Sequence, residues 1–125
     1  MNITGIWTYN EDFEFGKSEG EVEISQTGNK VTAIFSFTEK VENNYEIDVI
    51  EKTKGVISDG KVLLESVEVK AVQDNRKIEY LPNTFEVHLV SENKLVGSTF
   101  DSEEVCGVFV MDRKEILISN IKDQV

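Results

Sequence analysis

Two residue types that often carry catalysis occur once each in this chain, and neither has the sequence neighbours that such chemistry requires. His88 is the only histidine and Cys106 the only cysteine. A reactive thiolate needs a base or a helix N-terminus to lower its pKa, and a zinc site needs several converging ligands. We therefore expect His88 to lie on the outer face of a strand and Cys106 to be a buried structural residue.

Motifs that would mark an active site or a cofactor site are missing from the sequence. It contains no glycine-rich phosphate loop, no serine nucleophile elbow and no HExxH pair. The acidic groups Glu11–Glu14 and Asp101–Glu104 are expected in loops, but neither has the frame of a calcium-binding loop. The sequence therefore predicts no enzymatic activity, no metal and no cofactor.

Aromatic residues are the remaining candidates for a functional site. The chain has seven phenylalanines, three tyrosines and one tryptophan. Inside a small β-barrel such rings either fill the interior or line a cavity for one small apolar ligand, with tyrosine hydroxyls as polar contacts. Both interpretations stay open from the sequence. The candidate cavity residues are Phe35, Phe37, Tyr45, Phe85, Val87 and Phe109.

The elements that would position these side chains are β-strands, because apolar residues recur with a period of two. The segments Gly20–Thr27 and Lys30–Thr38 flank Gly28-Asn29, which predicts a hairpin with a two-residue turn, and Asp59-Gly60 predicts a second such turn. Glu21 and Glu23 alternate with apolar residues and are expected outside. Further predicted strands are Asn44–Lys54, Gly55–Ser58, Lys61–Leu64, Lys77–Leu81, Thr84–Val90, Lys94–Phe100 and Glu104–Met111.

Three irregular points refine this pattern. The apolar phase changes between Leu64 and Val67, which predicts a β-bulge near Glu65-Ser66. Gly97 and Gly107 lie inside strand patterns and indicate sharp coiling or close backbone approach. Residues 113–124 fit a strand or a helix, and their β-branched content favours a strand. The sequence therefore predicts an all-β fold, a single antiparallel up-and-down β-barrel of about eight strands that spans residues 1–125.

The first strand and the last predicted strand carry a family resemblance. The chain begins its meander with Thr4-Gly5-Ile6-Trp7, and the strand that ends at Met111 runs into Arg113. This arrangement resembles the calycins, the group of lipocalins, avidins and fatty-acid-binding proteins. The resemblance implies that Trp7 closes one end of the barrel and that Arg113 packs over its ring as a barrel-closing pair. A guanidinium on an indole is a favourable cation–π contact.

Net charge limits the partners. The formal charge is −11 and the isoelectric point is near 4.5, so the surface repels nucleic acid and anionic membranes. The start of the sequence lacks the basic and apolar regions of a signal peptide. We expect a cytoplasmic protein, with a trimmed secreted form left open.

Two functions of different classes fit these observations. The first is a non-enzymatic, lipocalin-like barrel that binds a small apolar or amphipathic ligand. The second is an acidic interaction module, similar in kind to an inhibitor or immunity protein, whose exterior binds a basic protein partner. A cavity lined by the predicted rings would favour the first function.

Overall fold

The computed structural model describes residues 1–42, 45–104 and 106–115, and every regular element in these ranges is a β-strand. The strands are β1 (Gly5–Phe13), β2 (Gly16–Thr27), β3 (Lys30–Val41), β4 (Tyr45–Ser58), β5 (Lys61–Gln73), β6 (Arg76–Ile78), β7 (Thr84–Ser91), β8 (Lys94–Phe100) and β9 (Cys106–Glu115). Across the same ranges no helix has the length and apolar character needed to span a bilayer.

Eight of these strands close into one antiparallel up-and-down barrel. Neighbours in the sheet follow the chain from β1 to β5 and from β7 to β9, β5 pairs with β7, and β9 pairs with β1. The short β6 pairs only with the end of β5. Alternation points the apolar side chains inward to one continuous core. The predicted fold class and the architectural resemblance to calycins are confirmed.

The two predicted hairpin turns are confirmed by their backbone angles. Thr27 pairs with Lys30 across a turn in which Gly28 has a φ of 63°. Ser58 pairs with Lys61 across Asp59 and Gly60, whose φ values are 53° and 71°. Positive φ at the first central position of the Gly28-Asn29 turn, and at both central positions of the Asp59-Gly60 turn, matches the twist of the flanking strands, which is why these dipeptides favour tight hairpins.

The predicted bulge is present and lies one residue further along the chain. Thr53 pairs with Ser66 but Lys52 pairs with Glu68, so Val67 is the extra residue and is exposed. Gly97 marks a close backbone approach, since a Cβ there would lie 1.9 Å from the carbonyl oxygen of Glu86.

Several strand boundaries differ from the sequence prediction, and β5, predicted as Lys61–Leu64, extends to Gln73. The segments predicted as Asn44–Lys54 and Gly55–Ser58 form one strand, β4, and Asn44 lies outside the described residues. The predicted strand Lys77–Leu81 is wrong, because β6 ends at Ile78 and residues 79–83 have no regular structure. That segment crosses one end of the barrel, where its polar groups bond to side chains instead of to a strand. For the C-terminal segment, residues 113–115 belong to β9, and 116–125 lie outside the described residues.

The other end of the barrel is closed by Trp7. Its ring is fully buried, and its indole N–H donates a hydrogen bond of 2.9 Å to the carbonyl oxygen of Ile3. The guanidinium carbon of Arg113 lies 4.5 Å from the ring centroid. Arg113 also donates to the carbonyl oxygens of Asn2, Thr4 and Glu92, so it ties the N-terminal segment to the β7–β8 turn across the tryptophan.

Candidate functional site

The centre of the barrel is filled by aromatic rings that pack directly on each other. Phe35 and Phe85 are stacked, with centroids 3.9 Å apart and planes 10° from parallel. The ring of Tyr9 lies 5.4 Å from those of Phe35 and Phe109 and 5.6 Å from that of Phe37. The centroid separations around Tyr9 are those of favourable aromatic pairs. The middle of the barrel is therefore a packed core.

The six predicted cavity residues do not lie together around an open space. Phe35, Phe37, Phe85, Val87 and Phe109 are all buried in the core. Tyr45 is not an interior residue, because it is the first residue of β4, at the rim, and 54% of its surface is exposed. Tyr45 has the inward phase of β4. It is exposed because it lies at the very end of the strand, where the strands across the barrel no longer cover an inward side chain. That the five buried residues contact a ligand stays a prediction.

A cavity of about 240 Å³ lies at the open end of the barrel, opposite Trp7, and we call it the mouth. Its apolar wall is formed by Phe13, Ile47 and Leu81. Polar side chains complete the lining, among them Glu11, Glu39, Tyr80, Asn83 and Thr99. None of the six predicted cavity residues lines it. The mouth is smaller than the 300–1,000 Å³ typical of pockets for drug-sized ligands, so it fits a small molecule or one end of a larger one.

Glu11 is the acidic group on the β1 side of the mouth. Its carboxylate accepts hydrogen bonds of 2.7 Å from the hydroxyls of Tyr9 and Thr99. Gly107 on β9 gives it room, since a Cβ at that glycine would lie 2.1 Å from a carboxylate oxygen of Glu11. The prediction that Glu11 lies in a loop is wrong, because β1 continues to Phe13.

Two more carboxylates hold the segment 79–83 across the mouth. The hydroxyl of Tyr80 donates a 2.6 Å hydrogen bond to Glu39 on β3. Asn83 donates to Glu51 on β4 from its backbone nitrogen at 2.9 Å and from its side-chain nitrogen at 3.0 Å. Glu51 is fully buried, so this pair fixes the start of β7 from inside the barrel.

Burial sets the protonation behaviour of this end of the barrel. It raises the pKa values of Glu11, Glu39 and Glu51, and the hydrogen bonds that each carboxylate accepts oppose the shift. Burial also raises the pKa of Tyr9 and of Tyr80, whose hydroxyls therefore stay protonated as donors. The mouth thus pairs neutral donors with carboxylates that have lost much of their hydration.

These shifts predict that acidification stabilises the protein. A carboxyl whose pKa is raised by folding binds a proton more tightly in the folded chain. The free energy of stabilisation from this proton binding is fully present below the unfolded pKa, about 4.3, and is lost as the pH rises through the folded pKa. We expect urea unfolding to give a higher free energy of unfolding at pH 5.5 than at pH 7.5.

Two matched variants separate the mouth from general charge repulsion in this pH experiment. Glu39→Gln removes a partly buried carboxyl, and Glu23→Gln removes one from the exposed face of β2. The stability difference between the two pH values should shrink in Glu39→Gln and stay near the wild-type value in Glu23→Gln. Equal differences in both variants would contradict the assignment.

The sequence contains a signal for these three carboxylates, although none of them is among the predicted cavity residues. Glu11 continues the inward phase of Trp7 and Tyr9, and Glu39 continues that of Phe35 and Phe37. Glu51 likewise follows Val49 on β4. A charged residue at an inward position of an alternating strand indicates a polar site inside the barrel.

The single histidine and the single cysteine lie at opposite ends of the barrel. His88 is exposed on β7, with its Nε2 atom 3.4 Å from Glu86 and beside the β4–β5 turn. Cys106 lines the mouth and is exposed, so the prediction of a buried cysteine is wrong. It is the first residue of β9, and its side chain has the same outward phase as Val108 and Val110. In the part of the chain that the structure describes, no three histidine, cysteine or acidic residues lie close enough to hold a metal ion.

Comparison with known proteins shows the fold. No known protein family and no curated protein match the sequence. Among solved structures, the chain is similar to the redesigned β-barrel mFAP1 bound to DFHBI, with 11% identity, a TM-score of 0.63, and coverage of 89% of this chain and 94% of that one. It is also similar to a de novo designed fluorescence-activating β-barrel, with 12% identity, a TM-score of 0.55, and coverage of 89% of this chain and 93% of that one.

Proposed function

We propose that this protein is a non-enzymatic binding protein that holds a small amphipathic ligand in the mouth of its barrel. The observation that carries the proposal is the mouth itself, a cavity of about 240 Å³ whose lining combines apolar side chains with hydrogen-bonding ones. Such a combination lets the wall bury the body of a ligand while a few polar groups fix its orientation.

The ligand enters at the end of the barrel and does not reach its middle. The stacked rings of Phe35 and Phe85 occupy the centre, whereas Phe13, Ile47 and Leu81 offer apolar surface at the mouth. Tyr9 connects the two regions, because its ring packs with the core rings and its hydroxyl donates a hydrogen bond to Glu11. The packed ring core thus limits the ligand to the mouth.

Two further observations support binding without catalysis. The barrels similar to this chain include mFAP1, which is bound to DFHBI, so a barrel of this architecture accommodates a bound compound. Cys106 and His88 lie at opposite ends of the barrel and cannot form a nucleophile–base pair.

Titration of the full chain with 2-naphthylmethanol, a neutral amphipathic probe, tests the proposal by mapping amide chemical shifts. We expect the largest shifts at the mouth, at Ile47, Tyr80 and Thr99. Ile47→Trp fills the mouth and should weaken binding by about tenfold or more, which corresponds to about 1.4 kcal/mol. Val67→Trp adds the same bulk on the exposed bulge and should leave binding unchanged. Shifts confined to the outer surface, or equal binding by both variants, would overturn the proposal.

A further inference from the structure

Three side chains form one row on the mouth side of the barrel interior. Ser18 on β2 lies directly opposite Glu11 on β1 and directly opposite Glu39 on β3. Neighbouring strands are about 4.8 Å apart, so the two glutamates flank the serine at the same level of the barrel. Lys17 and Glu19, on either side of Ser18, point outward. The row therefore places one fully buried hydroxyl between two carboxylates that line the mouth.

The hydroxyl of Ser18 lacks a partner. Ser18 is fully buried, and its Oγ atom has no hydrogen bond to any residue that the structure describes. Buried hydroxyls almost always have a partner, and a serine hydroxyl both donates and accepts. An orphan hydroxyl between two carboxylates that line a cavity indicates that a further polar group belongs at this place.

The charge of the row is also uncompensated. Among the residues that the structure describes, Glu11 and Glu39 accept hydrogen bonds only from the neutral hydroxyls of Tyr9, Thr99 and Tyr80. Within the described ranges, neither carboxylate forms an ion pair with a lysine or arginine, and the ion pairs present join exposed side chains outside the barrel. A partly buried carboxylate without a cation is costly, and a bound cation removes that cost.

We propose that the ligand of the mouth is an organic cation, a primary ammonium on an apolar body, with the ammonium held by Glu11 and Glu39 beside Ser18. This proposal rests on the proposed function and adds the ligand's charge. A primary ammonium has three N–H donors and no acceptor, which complements a row that offers two carboxylates and a hydroxyl. Hydrogen bonds between ionised partners are also the stronger kind. Phe13, Ile47 and Leu81 would contact the apolar body.

Three probes of the same shape and different charge test the proposal on the full chain: 2-naphthylmethylamine, 2-naphthylmethanol and 2-naphthoate. We expect the amine to bind the wild type about tenfold more tightly than the alcohol, and the carboxylate to bind most weakly. Glu39→Gln should remove most of this preference for the amine without changing the affinity for the alcohol. Ser18→Ala, a small change with low risk to folding, should weaken amine binding severalfold and leave alcohol binding unchanged.

Glu23→Gln is the matched control, because it removes an exposed carboxylate from β2 and changes the net charge equally. It should keep the wild-type preference for the amine. Equal affinity for amine and alcohol would overturn the inference and leave the proposed function standing, whereas failure of all three probes at the mouth would overturn both. A loss of amine affinity in Glu23→Gln as large as that in Glu39→Gln would also overturn it, because it would show attraction by net charge alone.

Discussion

Replacing Trp7 by alanine is expected to lower the free energy of unfolding by about 3–5 kcal/mol. The indole is fully buried at the closed end of the barrel, and its loss leaves a void that the surrounding strands cannot collapse to fill. The substitution also removes the hydrogen bond to Ile3 and the surface on which Arg113 lies. Urea unfolding followed by far-ultraviolet circular dichroism would measure the change as a lower midpoint.

Two control variants separate the contributions at this end of the barrel. Trp7→Phe keeps a ring but not the indole N–H, and it should lose less than half as much stability as the alanine variant. Arg113→Ala removes the cation–π contact, worth about 0.5–2 kcal/mol, together with three hydrogen bonds to backbone carbonyls. A loss below about 1 kcal/mol in Trp7→Ala would show that the tryptophan does not close the barrel.

Phe85→Ala is expected to cost a similar amount, about 3–5 kcal/mol. Phe85 is fully buried, stacks on Phe35, and lies 6.3 Å from the rings of both Tyr9 and Phe109. Its removal therefore leaves a cavity in the middle of the barrel and ends three ring contacts at once. The free energy of unfolding from a urea titration, with an unchanged slope, is the measurement that checks it.

Phe15→Ala is the matched control for this experiment. It makes the same substitution in the β1–β2 turn, where half of the phenylalanine surface is exposed. We expect a change within about 0.5 kcal/mol there, as for most surface substitutions. If both variants lost the same small amount of stability, the centre of the barrel would not be the packed core that the ring contacts describe.

The parts of the fold that local patterns encode were predictable from the sequence. Period-two alternation placed Phe35 and Phe37 inside, and the turn dipeptides at Gly28 and Gly60 marked two hairpins, because backbone angles at a tight turn depend on the residues in it. The phase change after Leu64 predicted the bulge for the same local reason. Residues 79–81 were wrongly predicted as strand because Glu39, the hydrogen-bond partner of Tyr80, is distant in the chain.

The candidate site was less predictable than the fold. Aromatic content left a filled interior and a ligand cavity both open, because ring content does not determine whether rings pack on each other or leave space. Glu11 was assigned to a loop because its acidic neighbours outweighed its inward phase on β1. Exposure at the rim also depends on where the neighbouring strands end, which explains Tyr45, whereas Cys106 is exposed because it has the outward phase of β9.

The amino-acid sequence is enough to specify short antiparallel strands in a meander, with an apolar inner face and an acidic outer face, since each of these properties depends on alternation and turn chemistry within about ten residues. The family resemblance already implied that Trp7 closes one end, but the lining of the open end follows from the three-dimensional arrangement of the strands. That arrangement also brings Glu11, Ser18 and Glu39 into one row at the mouth, because strand register joins residues that lie far apart in the chain.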